Sequence, residues 1–394
     1  MRVLVTSTPL STHFLPLVPL ACALRAAGHE VLVLGQPDIL AAVRSAGLNA
    51  VVIGERVGTD DTIVGHLRGE ERLIHTYGRP APEDLAGYPD TWIEHTVRLV
   101  PEYLRFARAW RPDLIVSDPL EFKSLVVGGV LGVPVAHHRW GVDPLSRAMR
   151  EGARPGLAGL CRELGLPALP DPTVVLDPCP PSLQLPDAEP ARTIRNVPFN
   201  GNGPLPSWLS DEWLSPPGDG ARRRVVVSMG ARTLALNGVP LMRRVLHAFD
   251  GLTGTEAVAT IEPEYAERVG DVPDNVRVIG PTPLHLFLDS CHAMVHHGGT
   301  GTVTTATVHG LPQLALPQAA DQWANGDRLA EVGAGITLDT AEAQDDPARV
   351  RDAVVRIVTE PSYREVAAGL RREAERMPST AAVVEGLEQL AARP

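Results

Sequence analysis

His296 to Leu329 reads HHGGTGTVTTATVHGLPQLALPQAADQWANGDRL, and the apolar run Cys291 to Val295 leads into it. A run of that kind predicts a buried strand, and Thr300 to His309 after it has the length of a helix. Between them lie His297, Gly298, Gly299, Thr300, Gly301 and Thr302. A strand that ends in a glycine-rich turn at a helix start suits an anion. The glycines let the backbone approach closely, the first N–H groups and the helix dipole favour negative charge, and Thr300 and Thr302 add hydroxyls. After Gly310 and Pro312 comes a second apolar segment, Gln313 to Leu316, followed by Asp321 and Gln322 at another helix start. A carboxylate beside an amide offers acceptors and donors to vicinal hydroxyls, the chemistry that grips a sugar. Phosphate and sugar groups would then lie on successive strand ends of one parallel sheet.

This composite resembles the nucleotide-sugar signature of the GT-B family-one glycosyltransferases, especially the actinobacterial enzymes that decorate polyketide antibiotics. The matching residues are HHGGTGT at 296–302, GLPQLALP at 310–317 and ADQWANGDRL at 320–329. The resemblance implies an α/β fold of GT-B type, with two Rossmann-like domains facing each other across a cleft. It also implies a last helix that crosses back to the first domain.

The rest of the chain reads in the same terms. Arg2 to Thr6, Glu30 to Leu34 and Asn49 to Ile53 are strand-like runs separated by helical patterns at 15–27 and 37–46. That alternation predicts a parallel sheet with right-handed crossovers. A helix is predicted over 91–110, then a buried strand at 114–116, a helix at 120–131 and a strand at 133–137. Two short helices near 144–164 precede a proline-rich passage without predicted strands. Residues 54–90 show little periodicity and read as a loop bordering a cleft. Gly, Pro, Ser and Asp dominate the stretch before Arg224, where a second series of strands and helices begins. The expected organisation is an acceptor-binding domain over 1–200, a linker over 201–220, a nucleotide-sugar domain over 221–378 and a terminal helix over 379–394.

At 394 residues the chain can form two domains with substantial cores. A net charge of −11 argues against a polyanion-binding surface, so no nucleic-acid partner is expected. Cys22, Cys161, Cys179 and Cys291 are scattered without metal-ligand spacing and read as reduced thiols. No apolar run reaches the roughly 20 residues that span a bilayer, and the start MRVLVTSTPL lacks a leader pattern, so a cytoplasmic protein is expected.

His13 lies in the turn after the first strand, where sheet carboxyl ends face the ligand crevice. Position alone favours a helix-start histidine bonded to its own backbone; the THxxP pattern matches the family's general base and reverses that preference. Asp118, after the fourth strand, reads equally as the carboxylate that orients this imidazole and as an N-cap for the following helix. In the second domain the family resemblance points to Ser228, Gly230 and Thr233 for the diphosphate, although Ala231 stands where a small polar residue is usual; Arg232 could add charge there. It assigns His297, Gly299, Thr300 and Gly301 to the diphosphate as well, and Asp321 and Gln322 to the donor sugar. Pro281 and Thr282 fall where the nucleotide base is received, with Pro281 replacing a stacking tryptophan. Phe14, Trp92, His138 and Trp140, with neighbouring His137 and Arg139, are candidates for the acceptor pocket.

No metal is expected, because the tandem His296 and His297 lack a third ligand nearby, and Asp60 with Asp61 and Asp345 with Asp346 read as solvated pairs rather than metal sites. No cofactor is expected beyond a dTDP- or UDP-sugar co-substrate. The reading is an inverting, metal-independent transfer of a sugar, with a deoxysugar favoured, to a small lipophilic aglycone. The rivals are a GT-B nucleotide-sugar epimerase and a non-catalytic binding or activator subunit of the same fold. A dinucleotide oxidoreductase is disfavoured, since the first strand leads into STPLSTH rather than GxGxxG. The aglycone, the bond type and the oligomeric state stay open, a homodimer included.

Overall fold

The computed structural model describes residues 1–58, 67, 71–81, 90–214 and 222–392. Two parallel sheets organise them. The first contains β1 (Arg2–Thr6), β2 (Glu30–Gly35), β3 (Ala50–Val52), β4 (Leu114–Ser117), β5 (Val135–His138), β6 (Val174–Asp177) and β7 (Arg192–Thr193), in the order β3-β2-β1-β4-β5-β6-β7. The second contains β8 (Arg223–Ser228), β9 (Thr255–Thr260), β10 (Val276–Ile279), β11 (Ala293–His296), β12 (Gln313–Ala315) and β13 (Gly335–Thr337), in the order β10-β9-β8-β11-β12-β13. Both orders reverse direction at one place, between β1 and β4 and between β8 and β11.

These strands are apolar on both faces because helices cover both faces. In β1, Val3 and Val5 pack with Val18, Leu20 and Leu24 of the helix Val18–Ala26, whereas Leu4 packs on the opposite face with Leu99 and Tyr103 of the helix Asp90–Trp110. In the second sheet, Val225 and Val227 join Leu241, Val245 and Val354 on one side, and Val226 joins Leu209 and Leu288 on the other. The helix Thr380–Ala391 leaves the second unit and inserts Val384 and Leu387 into the core beneath β1. His29 Nε2 lies 2.9 Å from Glu388 Oε1 at the edge of that contact.

The structure departs from the sequence reading at several places. The proline-rich passage contains β6 and β7, and the region near 144–164 is one helix, Ser146–Glu163, with Pro155 inside it. Part of the stretch read as linker, Ser207–Leu214, is helical, and its Leu209 is buried in the second core; residues 215–220 lie outside the described residues. Asp60 and Asp61 also lie outside them. Asp345 is partly exposed but also held by side chains: Arg72 Nη2 lies at 2.5 Å, Arg244 Nη1 at 2.6 Å and His75 Nε2 at 3.2 Å. Asp346 caps the helix Pro347–Thr359, accepting from the Ala348 and Arg349 amides.

The two units meet through small and apolar residues. Val142, Cys179 and Leu183 of the first pack against Val303, Leu329 and Leu370 of the second. Gly141 sits against the start of the helix Thr300–Val308, where any Cβ would run into the methyl of Thr300 and come within 2.8 Å of the Thr304 methyl. Among the described residues no helix is long and apolar enough to cross a membrane.

Within the second sheet, Gly335 of β13 is paired with Gln313 of β12 so closely that an added Cβ would strike the Gln313 carbonyl. Backbone cannot retreat as a flexible side chain can. Gly335→Ala should therefore destabilise the protein by about 1–3 kcal/mol, the range of core overpacking, measured as a lower denaturant midpoint with an unchanged slope.

Candidate active site

The reversal points of the two sheets set the site. Ligands of open α/β sheets bind beyond the carboxyl ends of strands that flank such a point. In the first unit Thr6 pairs with Ser117, so the turns after β1 and β4 emerge side by side; in the second Ser228 pairs with His296, so those after β8 and β11 do the same.

The first pair of turns brings His13 and Asp118 together. Asp118 is fully buried. Its Oδ1 accepts from the Leu120 amide at 2.9 Å and its Oδ2 from the Thr8 amide at 2.7 Å. It is not an N-cap: Glu121 precedes the helix Phe122–Leu131, without a side-chain cap. His13 Nδ1 lies 3.9 Å from Asp118 Oδ1, beyond hydrogen-bond reach, and its close partner is Thr8 Oγ1 at 2.6 Å. Burial, followed by the charge of Arg232, lowers the His13 pKa to about 3; burial, followed by the charge of Glu121, pushes Asp118 up to about 7. The imidazole is thus neutral at physiological pH and able to accept a proton.

Of the residues assigned to the acceptor pocket, Trp140 packs on His13, with ring centroids 4.1 Å apart. Phe14 is completely buried among Val3, Val5 and Leu17 and does not line the cleft. His138 is buried, with its Nδ1 2.6 Å from the Arg139 carbonyl, and Arg139 is held between Asp143 and Asp177. These two are structural, as is buried His137, whose Nε2 lies 3.4 Å from Ser124 Oγ. Trp92 is half-buried, edge-on to His95.

On the other side, two glycines shape the seat of His297. A Cβ at Gly299 would strike its Nε2, and one at Gly230, where φ is +73°, would come within 3.0 Å of its Cε1. His296 behind it is structural. Its Nδ1 accepts from the Gly298 amide at 2.9 Å and its Nε2 faces Gln313 Oε1 at 2.9 Å, which pins the turn. The helix Thr300–Val308 begins at Gly299, and Gly301 is exposed there. The first-turn amides lack intrahelical acceptors. Burial lowers the His297 pKa to about 4, with the Ser228 backbone opposing and Arg232 adding to the shift. Ser228 Oγ accepts from Thr260 at 2.9 Å, and Thr233 is buried behind the turn. Pro281 and Thr282 follow β10, the edge strand two places from β8, and Pro281 is exposed.

The segment after β12 is tied to both units. Thr300 donates its hydroxyl to Asp321 Oδ2 at 2.5 Å, so that hydroxyl is already engaged, whereas its backbone N–H lies in the first helical turn. Gln322 Oε1 accepts from the Gln318 and Ala319 amides at 2.8 and 3.1 Å, leaving its NH₂ to donate. Ala320, within this segment, holds a φ of +49°, a left-handed conformation costly for a residue with a side chain. Burial raises the Asp321 pKa and the Asp143 charge adds to it, while the Thr300 bond and Arg232 oppose. The charge of Arg232 contributes to the shifts of His13, His297 and Asp321, and Gly141 of the first unit rests against Thr300 of the second. Among the described residues no cluster of three His, Cys, Asp or Glu could hold a metal ion.

Residues 22–230 match the N-terminal domain, and residues 243–390 the C-terminal domain, of the family described as erythromycin biosynthesis protein CIII-like. The chain belongs to this glycosyltransferase family. It is 38% identical to aklavinone 7-beta-L-rhodosaminyltransferase of Streptomyces galilaeus, over 100% of this chain and 96% of that protein. It is 35% identical to 3-alpha-mycarosylerythronolide B desosaminyl transferase of Saccharopolyspora erythraea, over 100% and 99% respectively. Among solved structures, the spinosyn rhamnosyltransferase complexed with thymidine diphosphate superposes with a TM-score of 0.86 at 37% identity, covering 98% of this chain and all of that one. The protein is thus a GT-B glycosyltransferase of antibiotic biosynthesis.

Sequence reasoning missed two features of this glycosyltransferase. Thr8 lay in a quoted motif, but nothing in its spacing marked its hydroxyl. Arg72 lay in the aperiodic 54–90 stretch; it is buried, donates to Gln344 Oε1 at 2.7 Å and pairs with Asp345. Gln344 Oε1 also accepts from Gln318 Nε2 at 2.7 Å, so the segment before Asp321 is linked to residue 72. Arg79 adds a pairing to Asp327. Arg72→Met should loosen the segment 71–81 by about 1–3 kcal/mol, the penalty for buried acceptors left without a donor. The expected result is faster native-state proteolysis within that segment, with a smaller change in the global unfolding midpoint.

Proposed function

We propose that this glycosyltransferase moves a deoxysugar from a thymidine or uridine diphosphate donor to a hydroxyl of a small lipophilic polyketide-type aglycone, with inversion and without a metal. The observation that carries this reading is the convergence of a neutral imidazole from the first unit with a guanidinium, an imidazole and a carboxylate from the second. Thymidine diphosphate is the favoured carrier, because that ligand is bound in the spinosyn rhamnosyltransferase structure.

His13 accepts the proton of the acceptor hydroxyl as its oxygen attacks the anomeric carbon. Burial keeps the ring unprotonated before reaction. Charge that develops on the departing diphosphate meets Arg232, His297, the Gly230 turn and the amides of Gly299, Thr300 and Gly301. Asp321 and the Gln322 amide bind the hydroxyls of the sugar, and Pro281 with Thr282 receives the base. Inversion follows from a single displacement, because the side chain set beside the acceptor is a base and not a carboxylate nucleophile.

Two measurements test this assignment. His13→Ala should lower kcat/KM about 10²–10⁴-fold, the usual contribution of a positioned base, while calorimetric binding of thymidine diphosphate stays within twofold; undiminished turnover would remove the base assignment. Asp321→Ala should lower kcat/KM about ten- to a hundredfold, as expected for a lost charge-assisted hydrogen bond, mostly through KM for the nucleotide sugar. Donor incubated alone should remain unisomerised.

A further inference from the structure

Between the imidazole and the carboxylate of the site stands a hydroxyl. Thr8 is fully buried, and its Oγ1 lies 2.6 Å from His13 Nδ1 and 3.2 Å from Asp118 Oδ2. The direct separation of His13 Nδ1 from Asp118 Oδ1 is 3.9 Å. A hydroxyl has one proton to donate and lone pairs to accept. With the carboxylate as acceptor on one side, Thr8 donates to Asp118 and accepts the Nδ1–H of His13. That arrangement selects the tautomer whose Nε2 is unprotonated and available to a substrate hydroxyl.

We propose that Thr8 is the relay between base and carboxylate, and that the proton removed from the acceptor comes to rest on Asp118 rather than on His13. This rests on the transferase reading above. As the acceptor oxygen bonds to the anomeric carbon, the bond from that carbon to the diphosphate oxygen breaks and its electron pair leaves with the nucleotide. The acceptor proton passes to His13 Nε2, the Nδ1 proton passes to Thr8 Oγ1, and the Thr8 proton passes to Asp118 Oδ2. His13 ends neutral in its other tautomer, Thr8 is unchanged in composition, and Asp118 is a neutral acid. Return of that proton along the same path, and from Nε2 to water after product release, resets the chain.

The surroundings favour this endpoint. Asp118 has Glu121 beside it, paired with Lys123 at 3.0 Å, and Tyr103 from the helix Asp90–Trp110 also senses its charge. Two backbone amides are its remaining partners. His13 is faced by Trp140 and by the cation of Arg232. Charge on the carboxylate is thus disfavoured by burial and by Glu121, whereas charge on the imidazole is disfavoured by burial and by Arg232. An imidazolium held apart from its counter-ion is the species this environment supports least.

Thr8→Val keeps the shape and the backbone amide to Asp118 but removes the relay atom. Its kcat should fall about 10²-fold, within the range for general-base catalysis, with both KM values within threefold of wild type, and Thr8→Ser should restore most of the rate. Wild-type kcat/KM should drop as pH falls below about 7, where Asp118 already holds a proton, and Thr8→Val should lose that limb. Asp118→Asn in the Thr8-intact protein should match Thr8→Val, and the double variant should be little worse than either; this arm decides the matter if the valine variant fails to fold. A Thr8→Val enzyme with kcat within threefold of wild type, a serine variant no better than valine, an Asp118→Asn enzyme with undiminished kcat, or a wild-type profile flat down to pH 5 overturns the relay. If wild type transfers sugar and His13→Ala does not, the transferase reading stands whichever way Thr8 falls; if wild type forms no glycoside, that reading fails first.

Discussion

The contact on which the site depends is the one between Gly141 and the first turn of the helix Thr300–Val308. No side chain fits there, so the second unit approaches until the methyl groups of Thr300 and Thr304 rest on the backbone of the first. This approach sets Arg232 close enough to act on His13 as well as on His297 and Asp321. The interface is supported by the apolar cluster around Val142 and Val303 and by Asn200, which donates to Thr305 Oγ1 at 3.2 Å.

Burial governs the chemistry on both sides. His13, His137, His138, His296 and His297 all have lowered pKa values, and in each burial is the largest cause. The same burial acts in the opposite sense on acids and raises Asp118 and Asp321. Burial thus favours the neutral form of both the bases and the acids, and in each of these groups it outweighs any single charge.

The architecture was legible because strand runs such as Val225 to Ser228 and Ala293 to His296 are continuous and apolar, and because the turn after β11 carries glycine where close approach is needed. β6 and β7 were hidden by the prolines around them; four and two residues long, they lack the length for a pattern to show. Phe14 was misread because sequence order placed it beside His13, whereas one residue along a helical turn rotates a side chain by about 100° and sends it into the core. The partners of Asp345 were missed because Arg72, His75 and Arg244 come from distant parts of the chain. Long-range ion pairs leave no local trace in sequence, and neither does a hydroxyl that links two residues through space.

The grip of Arg72 on Gln344 and Asp345 has a bearing on how such enzymes can be recombined. A chimera that takes its front half from one relative and its back half from another, joined near residues 201–220, would separate this arginine from the partners with which it is matched. The junction would respect the backbone and still leave the segment before Asp321 propped against a stranger. A hybrid that transplants residues 71–81 together with the rear lobe keeps that bracing intact, so the natural seam for exchanging specificity is not where the covalent chain passes from one lobe to the other.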